Sequence, residues 1–443
     1  MLLIGNGVVI TRDEDNTYLD NGAVCIENDR ILEVGEYKSL LEKYKDAELI
    51  DARGSVIMPG FINTHNHIYS AFARGMSIPG NNPTNFLEIL EGTWWKLDRK
   101  LTLEQTLLSA QITYLDCIKK GVTTVFDHHA SYGHIEGSLF EIAKAAKEAG
   151  IRTCLSYEVS DRDGIQKMEA AVAENIDFLE YSLKDSTGML SAMFGLHASF
   201  TLSDATLKLC TAKNAGRTGF HIHVAEGLSD AMHCRENFGM SVVERLNSRG
   251  ILGDKTIAAH CVHISEKDMN ILKETDTVVV HNPQSNMGNA VGVPGVLTMY
   301  EKKIVLGLGT DGYTNDMLES MKAANTLHKH ESKNPSAAWE EIPGMTYKNN
   351  KIIGERCLRV PIGVLKEGAK ADVIVIDYKP YTPMGRENIN SHILFGVNSN
   401  DTVVTVVNGK VLMKDKKLTG LNEESIRAAC KEEAYKLWKE LGI

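Results

Sequence analysis

Eight short apolar runs, each ending in a polar turn, punctuate the middle of the chain: VIMPGFINT, VTTVFD, RTCLSYE, SAMFGLHA, TGFHIHVA, TIAAHC, TVVVHN and KIVLGLGT. Their length and β-branched content mark them as buried strands. Between them lie stretches with apolar residues at helical spacing, such as LEQTLLSAQITYLDCIKKG and SLFEIAKAAKEAG, each closed by a glycine. Strand alternating with helix predicts an α/β fold of parallel strands joined by crossover helices, and eight units suit a closed (β/α)8 barrel of the TIM type. A doubly wound open sheet is the alternative. It is weakened because no glycine-rich phosphate loop follows the first strand.

The two ends of the chain have a different texture. LLIGNGVVIT, then NGAVCIENDRILEVG with a turn at Asn28–Asp29, predict strands at the start. EGAKADVIVID and TVVTVVNGKVLMKDKK, with a hairpin signal at Asn408–Gly409, predict strands near the end. Both ends are therefore expected in one small β-sandwich, residues 1–57 and 359–443, split by a barrel at 58–358. ESIRAACKEEAYKLWKEL predicts a C-terminal helix. HKHESKNPSAAW, from His328 to Trp339, reads as a polar surface loop with both histidines in solvent.

Composition narrows the class. With 443 residues, 43% hydrophobic and 24% charged, the chain can bury a large core, and its net charge of −10 argues against a nucleic-acid or anionic-membrane surface as partner. No apolar run approaches the roughly 18 residues needed to span a membrane. MLLIGNGVVITRDEDN has no basic start and is not read as a signal peptide. Eight cysteines without a C-x-x-C pair suggest reduced thiols and a cytoplasmic location.

The polar residues carry the chemistry. In a barrel of this kind the active site lies at the C-terminal ends of the strands. There fall His65 and His67, Asp127-His128-His129, His197, His221 and His223 with Glu226, His260 and His263, His281 and Asp311. Ten of the 15 histidines sit at these ends, which packing alone would not produce. His65, His67, His223 and Asp311 make a ligand shell for a divalent metal with room for water, whose pKa the metal would lower toward neutrality. Glu226, three residues past His223, suits a proton carrier outside the shell. His260 suits a group that orients the attacking water or stabilises developing charge. His221 reads as a hydrogen-bonded core residue. His263 and His281 are open between structural and functional roles, and only one of the adjacent pair His128 and His129 should face inward. Trp94, Trp95, Phe86 and Tyr69 could supply an aromatic wall, or core packing. Arg162, in SDRDG, could bind a substrate carbonyl or carboxylate, or be an exposed loop residue.

PGFINTHNH, HIHVAE, AHCVH and GTDG, in that order, resemble the strand signatures of the amidohydrolase superfamily over nearly the whole chain. SNMGNAVG resembles the loop after the seventh strand in the branch containing guanine deaminase, chlorohydrolases and adenosine-type deaminases. SYEVSDRDG, HNPQSNMGNAVG and LEGTWWKLDRKLT further resemble the aminohydrolases called SsnA. The resemblance implies a split β-sandwich around a distorted barrel. It also implies one metal, zinc before iron or manganese, on His65, His67, His223 and Asp311. Glu226 would shuttle the proton, with His260 beside the attacking water and His197 against the substrate. Glu158, at the third run, leaves an opening for a second metal. The expected chemistry is hydrolysis of a non-peptide C–N bond in a purine-like heterocycle, by a likewise expected homodimer whose other partner is water. Opening of the heterocycle ring is the alternative, and a non-catalytic scaffold the rival from another class.

Overall fold

The computed structural model describes all residues, Met1–Ile443. Its barrel strands are Phe61–Asn66, Val122–His129, Arg152–Tyr157, Phe194–Ala198, Phe220–Val224, Ile257–His260, Val278–His281 and Leu306–Leu308. They form two parallel arcs, and single-residue parallel bridges join the arcs at both seams, Val159 to Leu196 and Asn66 to Asp311. The SAMFGLHA run spans the first seam. Leu190–Ala192 pairs with the third strand, and Phe194–Ala198 pairs with the fifth. At the other seam the amides of Thr310 and Asp311 both donate to the His65 carbonyl, at 3.0 and 2.9 Å. The expected eight-unit barrel is thus present in distorted form.

The run VIMPGFINT is shared between two sheets. Val56–Pro59 pairs with Leu2–Ile10 and Val373–Ile376, whereas Phe61–Asn66 begins the barrel. The switch falls at Gly60, where an added Cβ would stand 2.1 Å from Thr123 Cγ2, so only glycine fits. Strands from both chain ends form one nine-stranded sheet, in which the expected sandwich is hydrogen-bonded continuously. Side chains alternate across it. Ile4, Ile26, Val373 and Val404 enter a core of their own, while Val56, Met58, Ile374 and Ile376 face the barrel and join its core.

A buried ion pair locks this sheet to the barrel floor. Arg152, at the start of the third strand, grips Asp372 through Nε at 3.2 Å and Nη2 at 2.9 and 3.0 Å, and both side chains are almost wholly buried. Breaking such a pair leaves an uncompensated buried charge, at a cost of about 3–5 kcal/mol. Arg152→Met is therefore expected to lower stability by about that amount in urea unfolding. Arg152→Met combined with Asp372→Leu should recover a large part of the loss, because neither charge is then stranded.

The helix Leu103–Lys119 opens with a capping box, Thr102 Oγ1 accepting from the Gln105 amide while Gln105 Oε1 accepts from the Thr102 amide. The C-terminal helix Glu423–Glu440 packs against it, and Trp438 Nε1 donates to the Phe72 carbonyl at 2.7 Å, bracing the loop after the first barrel strand. The expected loop from His328 is a correction. The helix Met317–Ser332 runs through both histidines. His330 is exposed, but His328 is buried and bonds His281, Nε2 to Nε2, at 3.0 Å. A polar residue on a buried helix face hides that face from a hydropathy reading. All eight cysteines are free and seven are buried. No helix is long and apolar enough to cross a membrane.

Candidate active site

His65, His67, His223, His260 and Asp311 converge at the C-terminal mouth of the barrel. Positive φ at Ala225, His260 and Asp311, none of them glycine, kinks the chain just past the fifth strand, at the end of the sixth and just past the eighth. Gly309 lets the eighth strand end close against His65, since a Cβ there would stand 2.5 Å from Asn282 Oδ1 and 2.9 Å from His65 Cβ.

Hydrogen bonds on the outer ring nitrogens decide where the lone pairs point. His67 Nδ1–H donates to the His128 carbonyl at 2.5 Å, and His223 Nδ1–H to the His197 carbonyl at 3.0 Å. Both Nε2 lone pairs then face the centre, only 3.1 Å apart. Such lone pairs repel unless a cation or a shared proton lies between them. His67 Nε2 is also 2.8 Å from Asp311 Oδ1. His65 engages His221 through Nδ1 at 2.8 Å and leaves its Nε2 buried without a hydrogen-bond partner, 3.5 Å from Asp311 Oδ1. His260 Nε2 is likewise buried without a partner. One atom each from His65, His223, His260 and Asp311 lies within 4.8 Å of the other three. Imidazole nitrogens with one carboxylate are a donor set suited to zinc and its neighbours, so the residues fit a divalent ion.

Electrostatics agree with that fit at His65, whereas His67 would have to give up a proton on ligation. Burial pushes His65 down to about 3 and His260 to about 4, so both rings are neutral, as ligation requires. Burial opposes protonation of His67 too, but Asp311 beside it raises this ring to about 9. Burial would raise Asp311, yet His67 and its neighbours pull it well below the usual carboxylate range. Glu226 is held well above that range by burial and then by the charge of Asp311.

Glu226 Oε2 lies 3.4 Å from His260 Nε2, and Oε1 accepts from Asn289 Nδ2 at 3.3 Å. Asn289 also donates to Ser285 Oγ, whose hydroxyl bonds Asp311 Oδ2. Asn286 bonds His260 Nδ1 at 2.8 Å. These three residues, on and just after the short helix Pro283–Gly288, had no role in the sequence reading. Their spacing at i, i+1 and i+4 in SNMGN is the signal, because it puts three amide or hydroxyl groups within one helical turn.

The pocket over this centre encloses about 800 Å³ including its mouth. Phe86, Trp94, Trp95 and Tyr69 all line it, as do His197, Glu158 and Glu226. His128 faces inward toward His65 and His223, while His129 points away and meets Ser131. His221 supports His65, and His263 bonds the Val291 carbonyl at 2.8 Å. Arg162 is not brought to the pocket, nor is it exposed. Its guanidinium pairs with Asp98 behind the wall and stacks over Tyr132 at 4.0 Å, because an arginine side chain this nearly covered must find a carboxylate inside the fold.

The amidohydrolase family model matches residues 56–412. A 5-methylthioadenosine/S-adenosylhomocysteine deaminase of Thermococcus sibiricus is 35% identical over 93% of this chain and 94% of its own length. A 5'-deoxyadenosine deaminase of Methanosarcina mazei is 32% identical over 99% of this chain and 98% of its own. In structure, a zinc-bound adenosine deaminase from Xanthomonas campestris superposes with a TM-score of 0.86 at 18% identity, covering 98% of both chains. The branch expected from the sequence is the one these relatives occupy, while the narrower likeness to SsnA has no counterpart among the three names. Family model, relatives and fold agree, and the chain belongs to the amidohydrolase family.

Proposed function

We propose that the protein is a metal-dependent aminohydrolase that removes an exocyclic amino group from a purine-like nitrogen heterocycle. The observation that carries this reading is Glu226, set beside an imidazole-rich donor set at the floor of an aromatic pocket. Relatives named for deamination of purine nucleosides support the substrate class. His65, His67, His223 and Asp311 would hold one divalent ion, zinc before iron or manganese. When bound, such an ion supplies charge stabilisation and a water acidic enough to ionise near neutral pH.

The remaining work falls to the chain. Glu226 takes a proton from the attacking water and passes it to the leaving nitrogen, and its buried setting favours the protonated carboxyl between those two events. His260 Nε2, 3.4 Å from Glu226 Oε2, steadies the oxygen that becomes the new carbonyl. Ser285 and Asn289 tie Asp311 to Glu226, so that the two carboxyl groups keep their separation. Water adds to the carbon, one of its protons ends on the ring nitrogen and the other on the leaving amino group, and the C–N bond breaks to give a carbonyl compound and ammonia. His197 and the aromatic wall orient the ring. A homodimer in the cytoplasm, working in purine breakdown, completes the proposal.

The test uses zinc-reconstituted protein with adenosine, 5'-deoxyadenosine, guanine and a cyclic ureide, following ammonia and ring absorbance together. Ammonia equal to substrate consumed, with an intact ring by mass, supports deamination. Ring loss with one added water and no ammonia would mean a cyclic amidohydrolase. Metal uptake without turnover of any compound would point to a substrate outside this panel, and failure to bind metal would favour the scaffold. Trp95 approaches His197 at a ring-centroid distance of 6.1 Å. Trp95→Ala is expected to raise KM about tenfold, roughly 1.4 kcal/mol of lost ring contact, with kcat much less affected. An unchanged KM would remove Trp95 from the substrate wall.

A further inference from the structure

Resting on that reading, and going beyond it, is the pocket's charge pattern. No lysine or arginine lines the pocket, whereas Glu158, Glu226, Asp230 and Asp311 do, between the rings of Phe86, Trp94, Trp95 and Phe200. Asp311 and Glu226 face the metal centre. Asp230 is engaged by the amides of Phe200 and Ala225, at 3.0 Å each. Glu158 is the carboxylate left over. It is 3% exposed.

Its neighbours do not satisfy it. Glu158 Oε1 lies 3.8 Å from His197 Nε2, and Oε2 lies 3.6 Å from His128 Nδ1. The Thr201 hydroxyl donates to the Ala198 carbonyl, so its oxygen accepts from His197 Nδ1–H at 2.7 Å, and His197 turns a lone pair toward Glu158. His128 Nε2 sits 3.0 Å from the carbonyls of both Leu196 and His221 and must carry the proton. His128 Nδ1 is then a second lone pair, buried without a hydrogen-bond partner. Three acceptors therefore meet at the pocket floor with no donor among them, a costly arrangement unless a donor arrives from outside. Arg162 does not supply one, being paired with Asp98.

We infer that Glu158 is a specificity-determining residue, forming with His197 an acceptor subsite for a cationic, N–H-bearing group of the substrate such as an ammonium or amidinium. Aromatic rings around a carboxylate favour that class twice over, by ion pairing and by cation–π attraction. Phosphate- and carboxylate-bearing compounds are disfavoured by the same charges. A second metal fits less well. Glu158 and His197 group with His223, whose free nitrogen already points at the main centre, and His128 does not join that group.

The test is binding rather than turnover, so that it is independent of whether deamination is found. Benzamidine and its neutral analogue benzamide are titrated into the zinc-loaded protein, read by fluorescence of Trp94 and Trp95, with metal per chain measured throughout. Benzamidine is expected to bind at least about tenfold more tightly than benzamide, and Glu158→Gln to bring the two within about twofold at unchanged metal content. Equal affinities in the wild-type protein would overturn the inference. A preference that survives Glu158→Gln would assign it to another carboxylate. Loss of a second metal equivalent in Glu158→Gln would make Glu158 a ligand instead. The wild-type comparison can still overturn the inference if the variant fails to fold.

Discussion

Glu226→Gln is expected to lower kcat between about a hundredfold and ten-thousandfold, the range of a positioned general acid–base group, while the protein stays folded and metal-loaded. Glutamine keeps the shape and can still meet Asn289, so the pocket should not collapse. What it cannot do is accept a proton and return it. Glu226 is placed for that cycle by burial and by Asp311, which hold its carboxyl above the usual range and favour its protonated form. Substrate affinity should therefore change little, and the loss should appear in kcat. Single-turnover kinetics with metal content measured in parallel is the check. Retention of more than about a tenth of wild-type kcat would show that another group moves the proton, with His260 the next to examine.

Stripping the metal with a chelator is expected to abolish turnover and to make stability newly dependent on pH. Without an ion, the two lone pairs of His67 and His223, 3.1 Å apart, need a proton between them, and Asp311 draws that proton to His67. The folded ring then titrates at about 9, against an ordinary value of 6.5. A raised folded pKa stabilises fully below 6.5, and the benefit is lost as pH rises through about 9. The interval, at about 1.4 kcal/mol per pH unit, makes on the order of 3 kcal/mol. Thermal melts of chelated protein from pH 6 to 10 should therefore fall steadily, while zinc-loaded protein should stay nearly flat over the same range. Restored zinc should return both activity and the flat profile. A chelated protein that melts at the same temperature across this range would mean that the His67–Asp311 contact is not what holds the empty centre together.

Much of this centre was legible in one dimension because strand geometry is local. Residues two apart on a strand face the same way, so His65 with His67, and His221 with His223, announced inward-pointing pairs. Apolar runs of fixed length separated by helical periods announced eight parallel units, and the β-rich ends announced a shared outer sheet. Glycine supplied the remaining local signals, as at the Asn408–Gly409 turn, where both residues take positive φ.

Other features depend on contacts that no local pattern encodes. Gly60 divides one apolar run between two sheets because Thr123, distant in sequence, leaves no room for a side chain. His328 looked like a surface residue and is buried because the seventh strand presents His281 to it. Arg162 looked like a ligand for substrate and is withdrawn by Asp98, 64 positions away. The sequence by itself determined which residue types stand at the strand ends, and so the class of chemistry, because periodicity and donor identity are properties of neighbours along the chain. Only the tertiary structure decided which ring nitrogens are free, which carboxylates are already paired and that Glu158 is left without a donor, because a proton's position depends on groups that folding brings within hydrogen-bond reach.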